Sequence, residues 1–576
     1  MNMRYLLKTL FSLVAACCIF SSCTLLSKDD TLGVGVLYNQ VGYISKGPKL
    51  ALVTANVDEF VLVDEAGNQV FNGVPESPKY WEASGDTVRK IYFSEFQKQG
   101  EYKIVMNGLD TRSKLIIADN PFNSISTAAL KSFYFNRSSI DLKEAYAGKW
   151  ARKGGHPDTV VYIHDSAADD NRSLGKVISS PFGWYDAGDY NKYVVNSSIS
   201  IYTLFRALVD FPVYYEQQYL NIPESDSDLP DILSEILFNL RWVLTMQDPA
   251  DGGVYHKLTT KKFEDFVMPQ EAISDRFVVA KSTSATLNYA AIAASAYRFL
   301  NLYEQNLPGL SDSCIIRAQK AWEWAVLNHD VIYQQPEDIT TGTYNNDNLD
   351  DDWFWAATEL YLATGNKKYL SVLKDKYTSP SVPSWEDVYT LGFYSLLDDY
   401  EVLDQEVKEL FIMDDFLSLA NDLVSISSSS AYGVSIKEFA WGSNSQVANE
   451  GVIKLFAYKM TGDESYLKSA IFDLDYLLGK NATGYCFVTG FGNKRVMNIH
   501  HRPSAADGIE DPVPGFLVGG PNLVVLNDCG SDVKRSPFPA KSYSDLECSY
   551  STNEIAINWN APLVYLMGGI DALTTR

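Results

Sequence analysis

The sequence predicts a small all-β sandwich over residues 33–118 followed by an all-α (α/α)6 barrel over residues 119–576. Three observations lead there. The chain has 576 residues, more than one hydrophobic core usually serves, so at least two domains are expected. Hydrophobic residues make up 46% of it, enough to fill large cores. Near residue 120 the apolar pattern changes from short runs broken by turns to long stripes at helical spacing.

The strands come first. Residues 49–53 and 60–63 are short apolar runs, and Asp64-Glu65-Ala66-Gly67-Asn68 between Val63 and Val70 has the composition of a hairpin turn. Further strands are expected at 90–93, 102–105 and 115–117, a spacing that suits a sandwich. Among the helices, Leu229, Ile232, Leu233, Ile236, Leu237, Leu240, Val243 and Leu244 form the cleanest stripe, with Pro230 near its start. Helices are also expected at 199–209, 285–300, 315–327, 353–363 and 385–397. Two segments resemble each other. Residues 359–366 run into Tyr369-Leu370, and residues 456–463 run into Tyr466-Leu467. Each reads as a helix end, a glycine stop and a restart at the same offset. Repeated helical hairpins imply a solenoid or a closed toroid, and the irregular period favours the toroid. Its site would lie on the loops of one rim.

The N-terminus reads as an export signal over residues 1–22. Arg4 and Lys8 precede an apolar run from Leu10 to Phe20, then Ser21-Ser22-Cys23. The run is short for a membrane span. A cysteine after small residues resembles a bacterial lipobox with Cys23 lipidated, although Phe20 replaces the usual Leu. Residues 23–32 would be a linker, and Ser27-Lys28-Asp29-Asp30 resembles the surface-export signal of Bacteroidetes lipoproteins. The expected location is therefore the cell surface, on the outer membrane through the lipid at Cys23. A formal charge of −24 disfavours nucleic acid, which demands clustered cations. A monomer is expected. Of seven cysteines, Cys17, Cys18 and Cys23 lie in the signal region; the remaining Cys314, Cys486, Cys529 and Cys548 make no disulfide framework and no CxxC zinc knuckle.

Three segments lack helical or strand periodicity and carry reactive residue types. Pro181 to Tyr190 contains Trp184-Tyr185-Asp186-Ala187-Gly188-Asp189. Its small residues let two carboxylates approach one point, where like charges push one pKa up. Paired carboxylates among aromatics suit activation of water beside a sugar ring; an Asp-rich turn is the plainer alternative. The second segment runs from Cys486 to Lys494 and on to Ile499-His500-His501-Arg502-Pro503. Residues two apart in extended chain point the same way, so His500 and Arg502 could line one cleft. The third runs from Tyr543 to Pro562 and contains Asp545, Tyr550 and Glu554, the last expected at a helix start. A carboxylic acid among aromatics is kept protonated by desolvation, as a general acid needs.

Together the three segments resemble glycoside hydrolase family 9, in that family's order. Asn39-Gln40-Val41-Gly42-Tyr43 resembles the start of the Ig-like module that precedes the catalytic domain in one branch. The resemblance implies an inverting endo-β-1,4-glucanase acting on cellulosic, mixed-linkage or xyloglucan chains, with no cofactor required. Asp189 would be the general base, Asp186 would help hold the water, Glu554 would be the general acid and Asp545 would orient the cluster. His500 would act beside them, and His501, Arg502, Trp184, Tyr185 and Tyr550 would bind substrate. Some members bind Ca²⁺, and Asp351 and Asp352, with Asp347 and Asn348 upstream, stand at the matching place; a solvated acidic helix start is the alternative. The stretch that binds zinc in some members has His156 and His164 but no cysteine. Two other functions remain open: an exo-acting glucosidase or glucosaminidase of the same family, and a surface glycan binder without activity.

Overall fold

The structure is a computed structural model that describes residues 35–106, 109–111 and 113–575. The leader at 1–22, Cys23 and the linker at 23–32 lie outside the described residues.

The N-terminal domain contains strands β1 (Val36–Leu37), β2 (Tyr43–Ile44), β3 (Leu50–Val53), β4 (Phe60–Val63), β5 (Gln69–Gly73), β6 (Lys79–Trp81), β7 (Asp86–Tyr92), β8 (Gly100–Met106), β9 (Leu109–Asp110) and β10 (Leu115–Ala118). One sheet has the order β1-β3-β7-β6; the other has β2-β10-β8-β4-β5, with β9 on β8. The β4–β5 hairpin is closed by Asp64, whose N–H donates to Asn68 O at 3.0 Å and whose Oδ1 accepts from Asn68 N at 2.8 Å. Strand β3 explains its own unbroken apolar run. Ala51 and Val53 face the sandwich core, whereas Leu50 and Leu52 face the helical domain, and all four are fully buried.

The Asn39–Tyr43 segment fastens the two domains together. Asn39 Nδ2 donates to Asp475 Oδ1 at 2.8 Å, and its Oδ1 accepts from Val41 N and Gly42 N. Gln40 Nε2 donates to Gly484 O at 2.7 Å, and its Oε1 accepts from Asn493 N and Lys494 N at 2.9 and 2.8 Å. At the other end of the interface Trp81 packs on Tyr432 with ring centroids 4.3 Å apart. The junction is buried and apolar at its centre, with the hydrogen bonds of Asn39 and Gln40 at its edge.

The helical domain is a circuit. Helix Val194–Asp210 packs on Thr283–Leu300, which packs on Asp350–Thr364, which packs on Tyr389–Asp398. Tyr394 of that last helix meets Phe456 of Ser443–Thr461 at 4.9 Å. Ser443–Thr461 packs on Ile557–Thr574, which returns to Val194–Asp210. These helices are buried on almost every side. Outside them lie Asn123–Phe135, Asp231–Thr245, Leu310–Leu327, Lys367–Lys376, Ile412–Ser429 and Glu464–Leu477, each covering a circuit helix. The two repeated segments are helical hairpins. Gly365 and Gly462 sit in the left-handed region at φ 66° and 73°, where a Cβ would be strained, and their N–H groups cap Tyr361 O and Tyr458 O. Asn366 and Asp463 then cap the next helix by accepting from Lys368 N and Ser465 N.

One element departs from the all-α expectation. Strands β11 (Val161–Ile163), β12 (Val177–Ile178), β13 (Lys192–Tyr193), β14 (Lys257–Thr259) and β15 (Phe277–Val278) form a sheet in the order β12-β11-β15-β14-β13. Strands of two or three residues are too short to carry a period-two signal. This sheet holds the chain that follows Asp189.

Candidate active site

Gly188 is the point where the three segments join. Its N–H donates to Glu554 Oε1 at 3.2 Å, and its carbonyl accepts from Arg502 N at 3.0 Å and Arg502 Nη1 at 2.8 Å. A Cβ at Gly188 would lie 2.0 Å from His500 O, so no other residue fits this crossing. Ile557 N donates to Asp186 O at 2.9 Å, and His500 N donates to Asn553 O at 2.9 Å. Glu554 itself lies in extended chain between Tyr550–Asn553 and Ile557–Thr574, not in the first turn of a helix as its sequence suggests.

The carboxyls are held differently. Asp189 is buried and accepts from Asn191 Nδ2 at 2.5 Å and Asn191 N at 3.3 Å. Asp186 is buried and accepts two bonds from Asn196 Nδ2, at 3.0 and 3.1 Å, and one from Tyr344 OH at 2.9 Å. Burial, and then the charge of Asp189, push Asp186 up to about 8. Glu554 is likewise pushed up to about 8, by burial first and by Asp189 second. Glu554 therefore carries a proton at neutral pH.

Asp545 accepts from Met497 N, Asn498 N and Asn553 Nδ2 at 3.0, 2.9 and 3.1 Å, tying the chain before His500 to the chain before Glu554. His500 Nδ1 lies 2.7 Å from Glu547 O. A carbonyl only accepts, so Nδ1 carries the hydrogen. Burial lowers the pKa of His500, so the ring is neutral and Nε2 is an acceptor. The guanidinium of Arg502 lies 5.4 Å from the ring of Phe263 and 5.3 Å from that of Phe266, and Phe266 meets His500 edge-on at 5.1 Å. Phe263 and Phe266 are exposed, and exposed Trp441 lies 5.7 Å from Tyr550. These rings edge the carboxyl cluster and were not legible as site residues, because exposed aromatics have no local sequence mark.

Three residues expected to bind substrate are buried on protein partners. Trp184 is fully buried; its Nε1 donates to Glu235 Oε2 and its ring packs on Phe133 at 4.6 Å. Tyr185 is buried with its hydroxyl 2.9 Å from His156 Nδ1. His501 is buried with Nδ1 2.9 Å from Ser504 Oγ. Neighbours in extended chain face opposite sides, so a cleft-facing His500 sends His501 into the core. Arg502 is also mostly buried and spends its bonds on Gly188 O and Glu264 O, so it holds the motif together.

The expected metal ligands do not form one group. Asp347 is exposed, whereas Asp351 and Asp352 are buried. Asp351 Oδ2 accepts from Val388 N at 2.8 Å and Asp352 accepts from Asn288 Nδ2, leaving one oxygen of each without a partner. Among the described residues, the acids whose ligand oxygens lie within 4.8 Å of one another are Asp169, Asp248 and Asp251. Lys281 Nζ donates to all three at 2.9, 2.9 and 2.8 Å, so an ammonium already stands where a metal ion would sit. His156 and His164 bind separate partners, Tyr185 and Asp338.

Cys529 and Cys548 are joined in a disulfide across a separation of 19 residues, and the bridge ends one residue after the carbonyl that holds His500. Closing a loop of that length is worth about 3 kcal/mol in the chain-entropy account. Cys314 and Cys486 are free and buried, so among the described residues this is the bridge on which mild reductant acts. Reduction is expected to lower the melting temperature in calorimetry; an unchanged melting temperature with the bridge fully reduced would contradict this.

A carboxyl kept protonated beside a second acid, with exposed rings close by, is the arrangement that glycoside hydrolysis uses. The comparisons with known proteins agree. Residues 122–567 match glycosyl hydrolase family 9, and residues 34–111 match the cellulase N-terminal Ig-like domain. The chain belongs to glycosyl hydrolase family 9. It is 41% identical to the xyloglucan-specific endo-beta-1,4-glucanase BoGH9A of Bacteroides ovatus, over 93% of each chain. It is 31% identical to endoglucanase D of Acetivibrio thermocellus, over 92% of this chain and 82% of that one. A solved Bacteroides ovatus family 9 structure superposes with a TM-score of 0.87 at 40% identity, over 94% of this chain and 99% of that one. The structure of AaCel9A with a cellobiose-like isofagomine superposes with a TM-score of 0.83 at 29% identity, over 94% and 100%.

Proposed function

We propose that this protein is an inverting endo-β-1,4-glucanase whose substrate is xyloglucan. The observation that carries the reading is Glu554, held protonated beside Asp189 at the Gly188 crossing. Asp189 takes the proton of the attacking water, Asp186 helps to hold that water, and Glu554 protonates the leaving glycosidic oxygen. His500 accepts a sugar hydroxyl at Nε2, and Asp545 and Arg502 fix the geometry. The exposed rings of Phe263, Phe266 and Trp441 offer apolar faces to pyranose rings. The substrate choice is supported by the Bacteroides ovatus relative, whose printed specificity is xyloglucan. We read the helical circuit as a closed (α/α)6 barrel with the site on one rim. The test is product length and viscosity over xyloglucan, mixed-linkage glucan and soluble cellulose. Early loss of viscosity on xyloglucan is expected. Release of only small sugars at constant viscosity would make the enzyme exo-acting, and absence of reducing ends would leave a glycan binder.

The same proposal places the monomeric enzyme on the cell surface through a lipid at Cys23, an assignment supported by the sequence Ser21-Ser22-Cys23. Cys23→Ala is expected to release it from the membrane fraction. It also places a structural Ca²⁺ at Asp351 and Asp352, supported by their unpartnered buried oxygens and by the preference of Ca²⁺ for carboxylates. A site saturated 100-fold above its Kd stabilises by about 2.7 kcal/mol. Chelation is expected to lower the melting temperature, with recovery on adding Ca²⁺; no change on either step would remove the ion from the account.

A further inference from the structure

Behind the base lies a buried lysine that the mechanism above does not use. Lys257 stands on β14, fully buried, between the rings of Tyr193 and Tyr333 at 5.5 and 5.6 Å. Its ammonium donates to Gln335 Oε1 at 2.9 Å, Thr341 Oγ1 at 3.0 Å and Gly342 O at 2.6 Å, all uncharged. Cations are rarely buried without an anion to compensate them. Burial lowers the pKa of Lys257 to about 7, and the anion that opposes this is Asp189, so the ammonium is present on the acidic side of neutrality.

The path between the two is continuous. Thr341 Oγ1 accepts from Lys257 and lies 2.7 Å from Thr259 Oγ1. Thr259 Oγ1 reaches Asn191 Oδ1 at 3.0 Å, with Thr260 O as its other acceptor at 2.8 Å. Asn191 Nδ2 then donates to Asp189 Oδ2. An ammonium can only donate and a carboxylate can only accept, so the bonds between them align in one sense. The orientation of the Asn191 amide follows from its surroundings. Its Oδ1 faces the donors Thr259 Oγ1, Thr260 N at 2.9 Å and Arg276 Nη1 at 3.4 Å, which leaves Nδ2 toward Asp189. Aligned hydrogen bonds polarise one another in a low-dielectric interior.

We propose that Lys257 is a positioning residue for catalysis, acting through Thr341, Thr259 and Asn191 to aim the Asn191 amide at Asp189. The inference rests on Asp189 being the base. The other charged or titratable groups that face Asp189 are Asp186, Glu554, Tyr193, Tyr344 and His500, with Arg276 reaching it through Asn191.

The test compares Lys257→Met, Thr259→Val and Thr259→Ser with wild type on soluble xyloglucan. Lys257→Met and Thr259→Val are expected to lower kcat about tenfold through the broken network, with KM little changed. Thr259→Ser keeps the hydroxyl and should restore kcat, which a merely structural loss would not predict. If Lys257→Met does not fold, Thr259→Val, which is nearly isosteric, carries the test. Wild-type kcat in folded Thr259→Val would overturn the proposal. Asp189→Asn measured alongside separates the two levels: an inactive Asp189→Asn with a normal Thr259→Val sinks the relay alone, and an active Asp189→Asn sinks the assignment of the base.

Discussion

Asp189→Asn is expected to lower kcat by about 10²–10⁴-fold, the usual contribution of a positioned base, while leaving KM little changed. The change removes a charge and keeps the shape. Asn191, which donates to Asp189 through both its amide and its backbone, can still bond the new side-chain oxygen, so the fold should survive. Azide, a nucleophile that needs no base, should recover activity in this variant and give a glycosyl azide of inverted configuration. A variant with normal kcat would remove Asp189 from the mechanism. The effect should also reach Glu554. The charge of Asp189 is the second cause, after burial, of the raised pKa of the acid. Removing it should bring that pKa down and move the basic limb of the residual activity to lower pH.

Glu554→Gln should be comparably damaging on polysaccharide and mild on substrates with good leaving groups. An alkoxide leaving from C4 of glucose needs a proton, whereas a dinitrophenolate does not. The ratio of the two losses therefore reports proton donation, which a general loss of structure would not alter. In the wild type the acid must be protonated, and its pKa is raised to about 8. Activity is thus full below that value and falls as pH rises through about 8. A basic limb near the ordinary glutamate value would mean that the donor is another group. Equal losses on both substrate types would mean that Glu554 has a structural role.

Much of this arrangement was legible in the sequence where a physical rule acts locally. The glycine stops at Gly365 and Gly462 marked helical hairpins because only a residue without Cβ takes that φ freely. The apolar stripe after Pro230 became helix Asp231–Thr245, because one face must be buried. The start of the helix expected at 385–397 moved to Tyr389, since Trp385 leaves the helix to meet the ring of Tyr344 at 5.0 Å. What was illegible depends on distant partners. Nothing near Tyr344 says that its hydroxyl will reach Asp186, and nothing near Lys257 says that it will face Asp189. Trp184, Tyr185 and His501 were expected at the cleft because their segments carry the chemistry. Each is turned inward by a partner distant in sequence or on the next turn: Glu235 for Trp184, His156 for Tyr185 and Ser504 for His501.

The central claim, that Asp189 and Glu554 act from opposite sides of the bond as base and acid, is tested most directly by the anomer first released. Proton NMR of xyloglucan or a soluble cello-oligosaccharide, followed from the first minutes of hydrolysis, distinguishes the two outcomes before mutarotation. The α-anomer at the new reducing end, appearing first and later equilibrating, is the predicted result. Early appearance of the β-anomer would mean retention through a covalent intermediate and would contradict the account.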